Sequence, residues 1–370
     1  MKLTKITLAC ALATGMAAPQ IASADDAFEF HGYARYGVQY EQDGNTKIAA
    51  DGQTGNAAGR LGNEDWGGEI LLQKTFESEN GTKFELGTMV ENWSGDNTVG
   101  LKQLYAGASN VFVAQPNAYI WGGRVFHNRI QQGLNDYYFS WADGQGVGIK
   151  GLELGSDVTM ELGFVQTSTL GASDQFAFTS ITNFKISDSV NMDVVADYGF
   201  SNSNIDVEDA TLIGAKVNIG NQHVYVRYSD NTENDVLSNR LNDQSSVYAS
   251  VEGSVPLAEN TNLEYLVSVQ DFDAAADSDD RLAYNAIVRP TYQWNNIHST
   301  WIEAGYSVVD YDDAQEDNSA YKITLSQNIA LGGFAWSRPM LRFFVTAGTE
   351  DNAGDKENVI IAGGMFEAWW

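Results

Sequence analysis

Apolar and polar residues alternate with a period of two along most of this chain. Across 223–228, Val224, Val226 and Tyr228 share one face, and His223, Tyr225 and Arg227 share the other. Across 263–269, Leu263, Tyr265, Val267 and Val269 oppose Glu264, Leu266 and Ser268. Ile302, Ala304, Tyr306 and Val308 oppose Glu303, Gly305 and Ser307; Tyr321, Ile323 and Leu325 oppose Lys322, Thr324 and Ser326. Leu341, Phe343, Val345 and Ala347 oppose Arg342, Phe344 and Thr346. Successive side chains of a strand point to opposite sides, so the pattern predicts strands with one apolar face. No stripe at helical spacing competes. Clusters rich in Gly, Asn and Asp separate the segments, as at Asp43-Gly44-Asn45, Ser78-Glu79-Asn80-Gly81, 273–280 and the acidic run 310–317. That is turn and loop chemistry.

An apolar face on every strand is buried either against a second sheet, in a soluble sandwich, or against lipid, around a polar lumen. Three features favour the membrane barrel. The residues on the inward side include Arg35, Glu69, Arg227, Glu264, Arg289 and Arg342, which suit a wet lumen and not a soluble core. The chain has 9 Trp, 17 Tyr and 17 Phe, enough for interfacial girdles, and it closes on Phe366-Glu367-Ala368-Trp369-Trp370. The third feature is an export signal. Lys2 and Lys5 precede a mostly apolar stretch over 6–18, and Ala22-Ser23-Ala24 gives a small-residue cleavage site before Asp25. Residues 1–24 therefore read as a signal peptide, and 25–370 as a single all-β transmembrane barrel domain.

Cleavage removes two lysines and no acids, which takes the net charge from −28 to −30. It also removes Cys10, the one cysteine, and the Thr7-Leu8-Ala9-Cys10 context is a poor acylation motif. Such a balance excludes nucleic acid as a partner, since phosphate neutralisation needs clustered Lys and Arg. No cofactor is expected and no spacing specifies a metal site. The acidic loops read as a solvated surface that divalent cations could bridge within a lipopolysaccharide layer. No Gly-x-Ser-x-Gly occurs, and no serine in a recognisable motif lies near His31, His127, His223 or His298, so the chain does not read as an enzyme. The mean hydropathy of −0.28 follows from the interleaving, because no window is uniformly apolar. At about 10 residues per membrane strand and as many per connection, the length allows roughly 16 to 18 strands around an aqueous channel.

Several stretches resemble the maltoporin family of sugar-specific outer-membrane channels. They are Phe30-His31-Gly32-Tyr33-Ala34-Arg35, Arg60-Leu61-Gly62-Asn63-Glu64, Ile120-Trp121-Gly122-Gly123-Arg124 through Arg129 to Asp136-Tyr137-Tyr138, Arg289-Pro290-Thr291-Tyr292-Gln293-Trp294, Trp336-Ser337-Arg338-Pro339 and Trp369-Trp370. They occur in the family's order, while 165–280 matches poorly. The resemblance implies an 18-stranded barrel, a homotrimer and passive diffusion of maltose and maltodextrins. It implies a slide of aromatics that stack on sugar faces and a track of charged groups that exchange hydrogen bonds with sugar hydroxyls.

Residue by residue, Tyr33 and Trp369 match slide positions. Trp93 matches a tryptophan on a loop that reaches into the neighbouring subunit. Arg35, Arg60, Arg129, Asp136 and Tyr138 match the track, Glu69 matches it after a one-residue deletion, and Lys102 stands where the family has arginine. Parity agrees for the first strand, since His31, Tyr33 and Arg35 share one face. There are departures. A slide tyrosine falls on Gly67, with Trp66 beside it at the wrong parity; a slide tryptophan falls on Glu350 and a track aspartate on Gln131, and the slide phenylalanine of the middle region has no counterpart. The expected slide is thinner than the family's. A general diffusion porin, or a porin for another sugar, is the alternative.

Overall fold

The computed structural model describes residues 28–41, 44, 46–93, 98–167, 174–202, 206–276, 279–312, 316–332 and 337–370. The expected signal segment 1–24, with Cys10, lies outside the described residues, as do Asp43, Asn45, Asp313 and Trp336. The strands in chain order are β1 Glu29–Glu41, β2 Gly67–Glu77, β3 Lys83–Trp93, β4 Gly100–Ser109 and β5 Tyr119–Val125, then a short inner pair, β6 Ile130–Gln131 and β7 Tyr138–Ser140. There follow β8 Gly144–Glu153, β9 Val158–Gln166, β10 Gln175–Ser187, β11 Val190–Ser201, β12 Ala210–Ile219, β13 Gln222–Thr232 and β14 Arg240–Ala258. The last are β15 Thr261–Asp273, β16 Arg281–Gln293, β17 His298–Tyr311, β18 Asn318–Ala330, β19 Met340–Asn352 and β20 Asp355–Trp369.

All but the inner pair form one 18-stranded antiparallel sheet in which each strand pairs with the next. β20 pairs back onto β1, with Trp369 opposite Tyr33 and Glu367 opposite Arg35, so the sheet closes on itself. Closure satisfies every ladder within the wall, which is what a β-structure in lipid requires. The alternation sets the faces. Ile302, Tyr306, Tyr321, Ile323, Leu325, Leu341, Phe343 and Val345 are exposed on the outside, while Glu303, Lys322, Thr324, Ser326, Arg342 and Thr346 are buried within. An apolar outer surface of this extent on a closed sheet is a lipid-facing wall. Among the described residues no helix is long and apolar enough to cross a membrane.

One end of the barrel carries tight turns, such as 188–189, 220–221 and 259–260. At the second of these, Gly220 takes a φ of +58°, which an L side chain adopts only with strain. The chain ends meet at this same end, where Gly32 and Trp370 exchange two backbone hydrogen bonds of 3.2 Å. Short turns mark the periplasmic side of such barrels. The opposite end bears two long inserts, residues 46–66 and 126–143, and both fold into the lumen.

The first insert places Ile48, Ala50 and Ala58 against Phe272, Ala283, Val309, Ala320 and Phe344 on the inside of β15–β19. Its Arg60–Glu64 motif is a clamp. Leu61 N donates to Glu303 Oε1 at 2.8 Å, while Leu61 O accepts from Lys322 Nζ at 2.6 Å and Thr324 Oγ1 at 2.9 Å. The Asn63 side chain exchanges hydrogen bonds of 3.0 and 2.8 Å with the backbone of Ile48, and Glu64 pairs with Arg342. Gly59 and Gly62 take positive φ, and a Cβ on Gly305 would meet Ala58 O at 2.1 Å, so the insert lies directly on the wall. The second insert, carrying β6 and β7, packs Phe139 and Tyr137 onto Tyr225, Tyr248, Leu212 and Val195 of β11–β14. Both plugs thus sit against one side, and the open lumen lies along β1–β5.

Candidate functional site

A cavity of about 810 Å³ is bounded by β1–β4, β20 and the two inserts. All ten residues singled out from the sequence line it: Tyr33, Trp93 and Trp369, with Arg35, Arg60, Glu69, Lys102, Arg129, Asp136 and Tyr138. Those on strands arrive by parity. Tyr33 and Arg35 leave β1 on the inner face, Tyr33 opposite Glu69 of β2 and opposite Trp369 of β20. Arg60 is delivered by the clamped first insert, and Arg129, Asp136 and Tyr138 by the second.

The aromatics form a file. Tyr33 stands between Trp369, at 6.5 Å between ring centroids, and Trp93, at 5.9 Å, and both pairs are stacked. Arg35 lies over Trp93 at 5.4 Å and Arg338 over Trp369 at 4.3 Å. A second aromatic group sits on the second insert: Arg129 lies 3.3 Å from the Phe126 ring centre and 5.4 Å from that of Tyr138, and Tyr138 stacks on Trp141 at 5.7 Å. Phe126 and Trp141 line the cavity too and were not singled out beforehand.

The charges are mostly paired, and their pairs fix the shape. Arg35 bonds Asp136 at 3.0 Å, tying β1 to the second insert, and Gln131 donates to the other oxygen of Asp136 at 2.9 Å. Lys102 pairs with Glu91 at 3.3 Å, and Arg129 with Asp143. Burial pulls the Arg129 guanidinium down, but Asp143, Tyr138 and Glu69 outweigh it and hold the group above its ordinary value. Glu367 gathers four donors: Tyr33 Oη at 2.7 Å, Arg342 at 3.3 Å, and Arg60 and Arg338. Sequence reading passed over Glu367, although it lies two residues from Trp369 and so on the same face of the strand. Glu69 differs from all of these. It lines the cavity and makes no hydrogen bond or ion pair among the described residues.

A family model described as LamB porin matches residues 28–370. The chain belongs to the LamB porin family. It is therefore a multi-pass outer-membrane porin, as the motifs and the closed 18-stranded barrel indicate. Solved structures similar to this chain include mutant forms of the porin of Rhodopseudomonas blastica, one at 12% identity with a TM-score of 0.48 and another at 13% with 0.47. Each comparison covers 92% of this chain and 100% of that porin.

The geometry bears on two readings drawn from the family motifs. Trp93 ends β3, and its ring stacks on Tyr33 of its own chain. Gly67 is the reason. It lies opposite Trp93 in register, and a Cβ there would fall 2.6 Å from Trp93 Cε3. The residue that departs from the family's tyrosine thus vacates the place that Trp93 fills, and the file is not shortened there. Trp66 is off the file, packed over Gly37, where a Cβ would meet its Cζ3 at 2.4 Å. Glu350, at a position where an aromatic was expected, instead accepts from Ala49 N at 3.1 Å and anchors the first insert. In the poorly matching middle of the chain, the inward rings Tyr225 and Tyr248 lie beneath Phe139, at 5.4 and 6.2 Å, and are covered by the second insert.

Proposed function

We propose that this porin passes maltose and maltodextrins by passive diffusion, with the constriction cavity as its binding region. The observation that carries the reading is the stacked file Trp369–Tyr33–Trp93 running beside charged groups in one cavity. A sugar ring has apolar C–H faces and a polar rim. Ring faces offer the first a broad apolar contact. Charged groups make the stronger hydrogen bonds to the second. Glu69, with free acceptor capacity, suits hydroxyl donors, while Arg35, Arg60, Lys102, Arg129, Asp136 and Tyr138 supply the rest of the track. Several weak contacts in series allow passage, where one tight site would trap the sugar.

The test is ion current through single channels in a planar bilayer as maltotriose or maltohexaose is added. Block that saturates with sugar concentration is expected. Current indifferent to every oligosaccharide refutes the reading and leaves a general diffusion porin. We also propose a homotrimer. Its support in this chain is Arg124, which faces outward on β5 between Leu104 and Gln145 in register and has no partner among the described residues. A cation on the lipid face is costly, and a neighbouring barrel would cover it. Residues 1–24 act as the export signal in this proposal, so the mature protein should begin at Asp25 on N-terminal sequencing.

A further inference from the structure

Arg227 sits midway along β13, and parity turns it inward with Tyr225. It is fully buried, and no carboxylate lies within ion-pair distance of it among the described residues. Arg289 and Arg342, its counterparts on β16 and β19, pair with Glu303 and with Glu64 and Glu367. A buried guanidinium without such a partner is costly unless its other contacts are good. Those contacts come from the second insert and β14. Nη1 donates to Phe139 O at 2.6 Å, and Nη2 donates to Tyr137 Oη at 2.8 Å. The guanidinium carbon lies 5.6, 5.7 and 5.3 Å from the ring centres of Tyr137, Phe139 and Tyr248. Ring faces attract a cation most where water is excluded. The Tyr137 hydroxyl in turn donates to Glu233 Oε1 at 2.8 Å, so a carboxylate is reached through it.

Tyr137 and Phe139 alternate with Asp136 and Tyr138 along the second insert. The first two are buried against the wall, while the other two line the constriction cavity. Tyr138 leaves β7 on the side opposite Phe139, and Asp136 precedes Tyr137 at a φ of +55°. Where Asp136 and Tyr138 stand therefore follows from where Tyr137 and Phe139 are held. β7 has three residues and its partner β6 has two, too short a pair to hold this stretch by itself. Arg227 reaches both wall-side residues at once, with the two arms of a planar fork. From across the lumen, Arg35 of β1 holds Asp136 at 3.0 Å. The insert is thus strung between two arginines, one on the path and one behind it.

We infer that Arg227 is a positioning residue for transport: by latching Tyr137 and Phe139 to the wall, it sets how far Asp136 and Tyr138 project into the constriction. It does not line the cavity itself. Its effect on sugar rests on the sugar reading above, whereas its effect on the bore does not. The two acceptors, a backbone carbonyl and a phenol oxygen, belong to different residues, and a planar fork meets both where the point charge of an ammonium loses that geometry.

The experiment records single channels of the wild type, Arg227→Met and Arg227→Lys in planar bilayers, first without sugar and then with maltohexaose. Tyr137→Phe, which removes the hydroxyl between Arg227 and Glu233 and keeps the ring, stands in if Arg227→Met does not insert. Without sugar, the wild type should hold one open level, and Arg227→Met should fluctuate among several as the insert moves in the bore. With sugar, Arg227→Met should need about 2- to 12-fold more maltohexaose for half-block, the worth of one hydrogen bond. Arg227→Lys should fall between the two. Coupling separates positioning from a general loss of packing. Asp136→Asn should weaken block in the wild type and add little in the Arg227→Met background, while Trp369→Ala, on β20 and off the insert, should cost the same in both. Effects of Arg227→Met and Asp136→Asn that simply add overturn the role. So does an Arg227→Met channel with the open level and the block of the wild type. A fluctuating Arg227→Met channel beside a wild type that no oligosaccharide blocks would fell the sugar reading and leave the latch standing on the bore.

Discussion

Tyr33→Ala removes the middle ring of the file. The ring stacks on both Trp93 and Trp369, and its hydroxyl donates to Glu367 and accepts from Arg60 at 3.1 Å. Those hydrogen bonds go to protein groups, so what a passing sugar loses directly is the ring face. A contact of about 40 Å² at ~25 cal/mol/Å² amounts to about 1 kcal/mol. Trp93 and Trp369 would also lose the ring that holds them stacked, which raises the loss to about 1–2 kcal/mol, or roughly 5- to 30-fold in half-blocking concentration. The assay is titration of maltotriose and maltohexaose on single channels of wild type and variant at one salt concentration. The open channel should still conduct, because the barrel wall and the two inserts are held by other contacts. Trp369→Ala should weaken block in the same way. Equal block in wild type and both variants refutes the file as a sugar-binding surface.

Other substitutions probe the parts separately. Glu69→Gln keeps shape but exchanges a charged acceptor for a neutral one, so block should weaken several-fold, given that charge-assisted bonds are roughly twice as strong; unchanged block would remove Glu69 from the track. Gly67→Ala puts a Cβ 2.4 Å from Asn92 O and 2.6 Å from Trp93 Cα, backbone atoms that cannot yield cheaply. It should lower stability by about 1–3 kcal/mol, read as a lower temperature for the folded-to-unfolded shift on gels. Glu303→Gln weakens the anchor shared by Arg289, Lys322 and Leu61 N. Breaking a buried pair costs about 3–5 kcal/mol, so the first insert should become cleavable by protease and conductance should rise. His127, on the second insert and off the spanning strands, is lowered from 6.5 to about 4, by burial first and by Lys150 second. Its folded value lies below its unfolded one, so its contribution is full above pH 6.5 and is lost as the pH falls toward 4, by about 3 kcal/mol in all. Thermal midpoints measured across that interval should fall with acid in wild type and much less in His127→Gln.

Period-two alternation made the barrel legible, because a strand leaves its side chains only two directions. The same rule placed Tyr33 and Arg35 inside, and it would have placed Glu367 beside Trp369 had parity been carried along the last strand. The inserts obey no such rule. Arg60, Arg129, Asp136 and Tyr138 were reached only through motifs, and Phe126 and Trp141, in the same segment, were passed over. Where the inserts sit is decided by contacts across the barrel, such as Leu61 on Glu303 and Phe139 on Tyr225, that no local pattern contains. Gly67 and Trp93 show the same limit on the wall itself. Their relation depends on the hairpin register set at the 78–82 turn, and a reading of each residue alone saw only a missing tyrosine and a loosely matched tryptophan.

The electrostatics of the lumen divide along a similar line. Buried charges are costly unless paired, and this barrel pairs most of its own: Arg289 and Lys322 on Glu303, Arg60, Arg338 and Arg342 on Glu367, Arg35 on Asp136. Each of these ties an insert or a turn to a strand, or one strand to the next, and so spends its hydrogen-bonding capacity on shape. Glu69 is placed differently, facing the constriction cavity with no partner among the described residues. Water can satisfy it while the lumen is empty, and a sugar hydroxyl can replace that water at little cost. A wall of paired charges with an unpaired one facing the path is what a channel needs if it is to keep its bore and still exchange hydrogen bonds with what passes through.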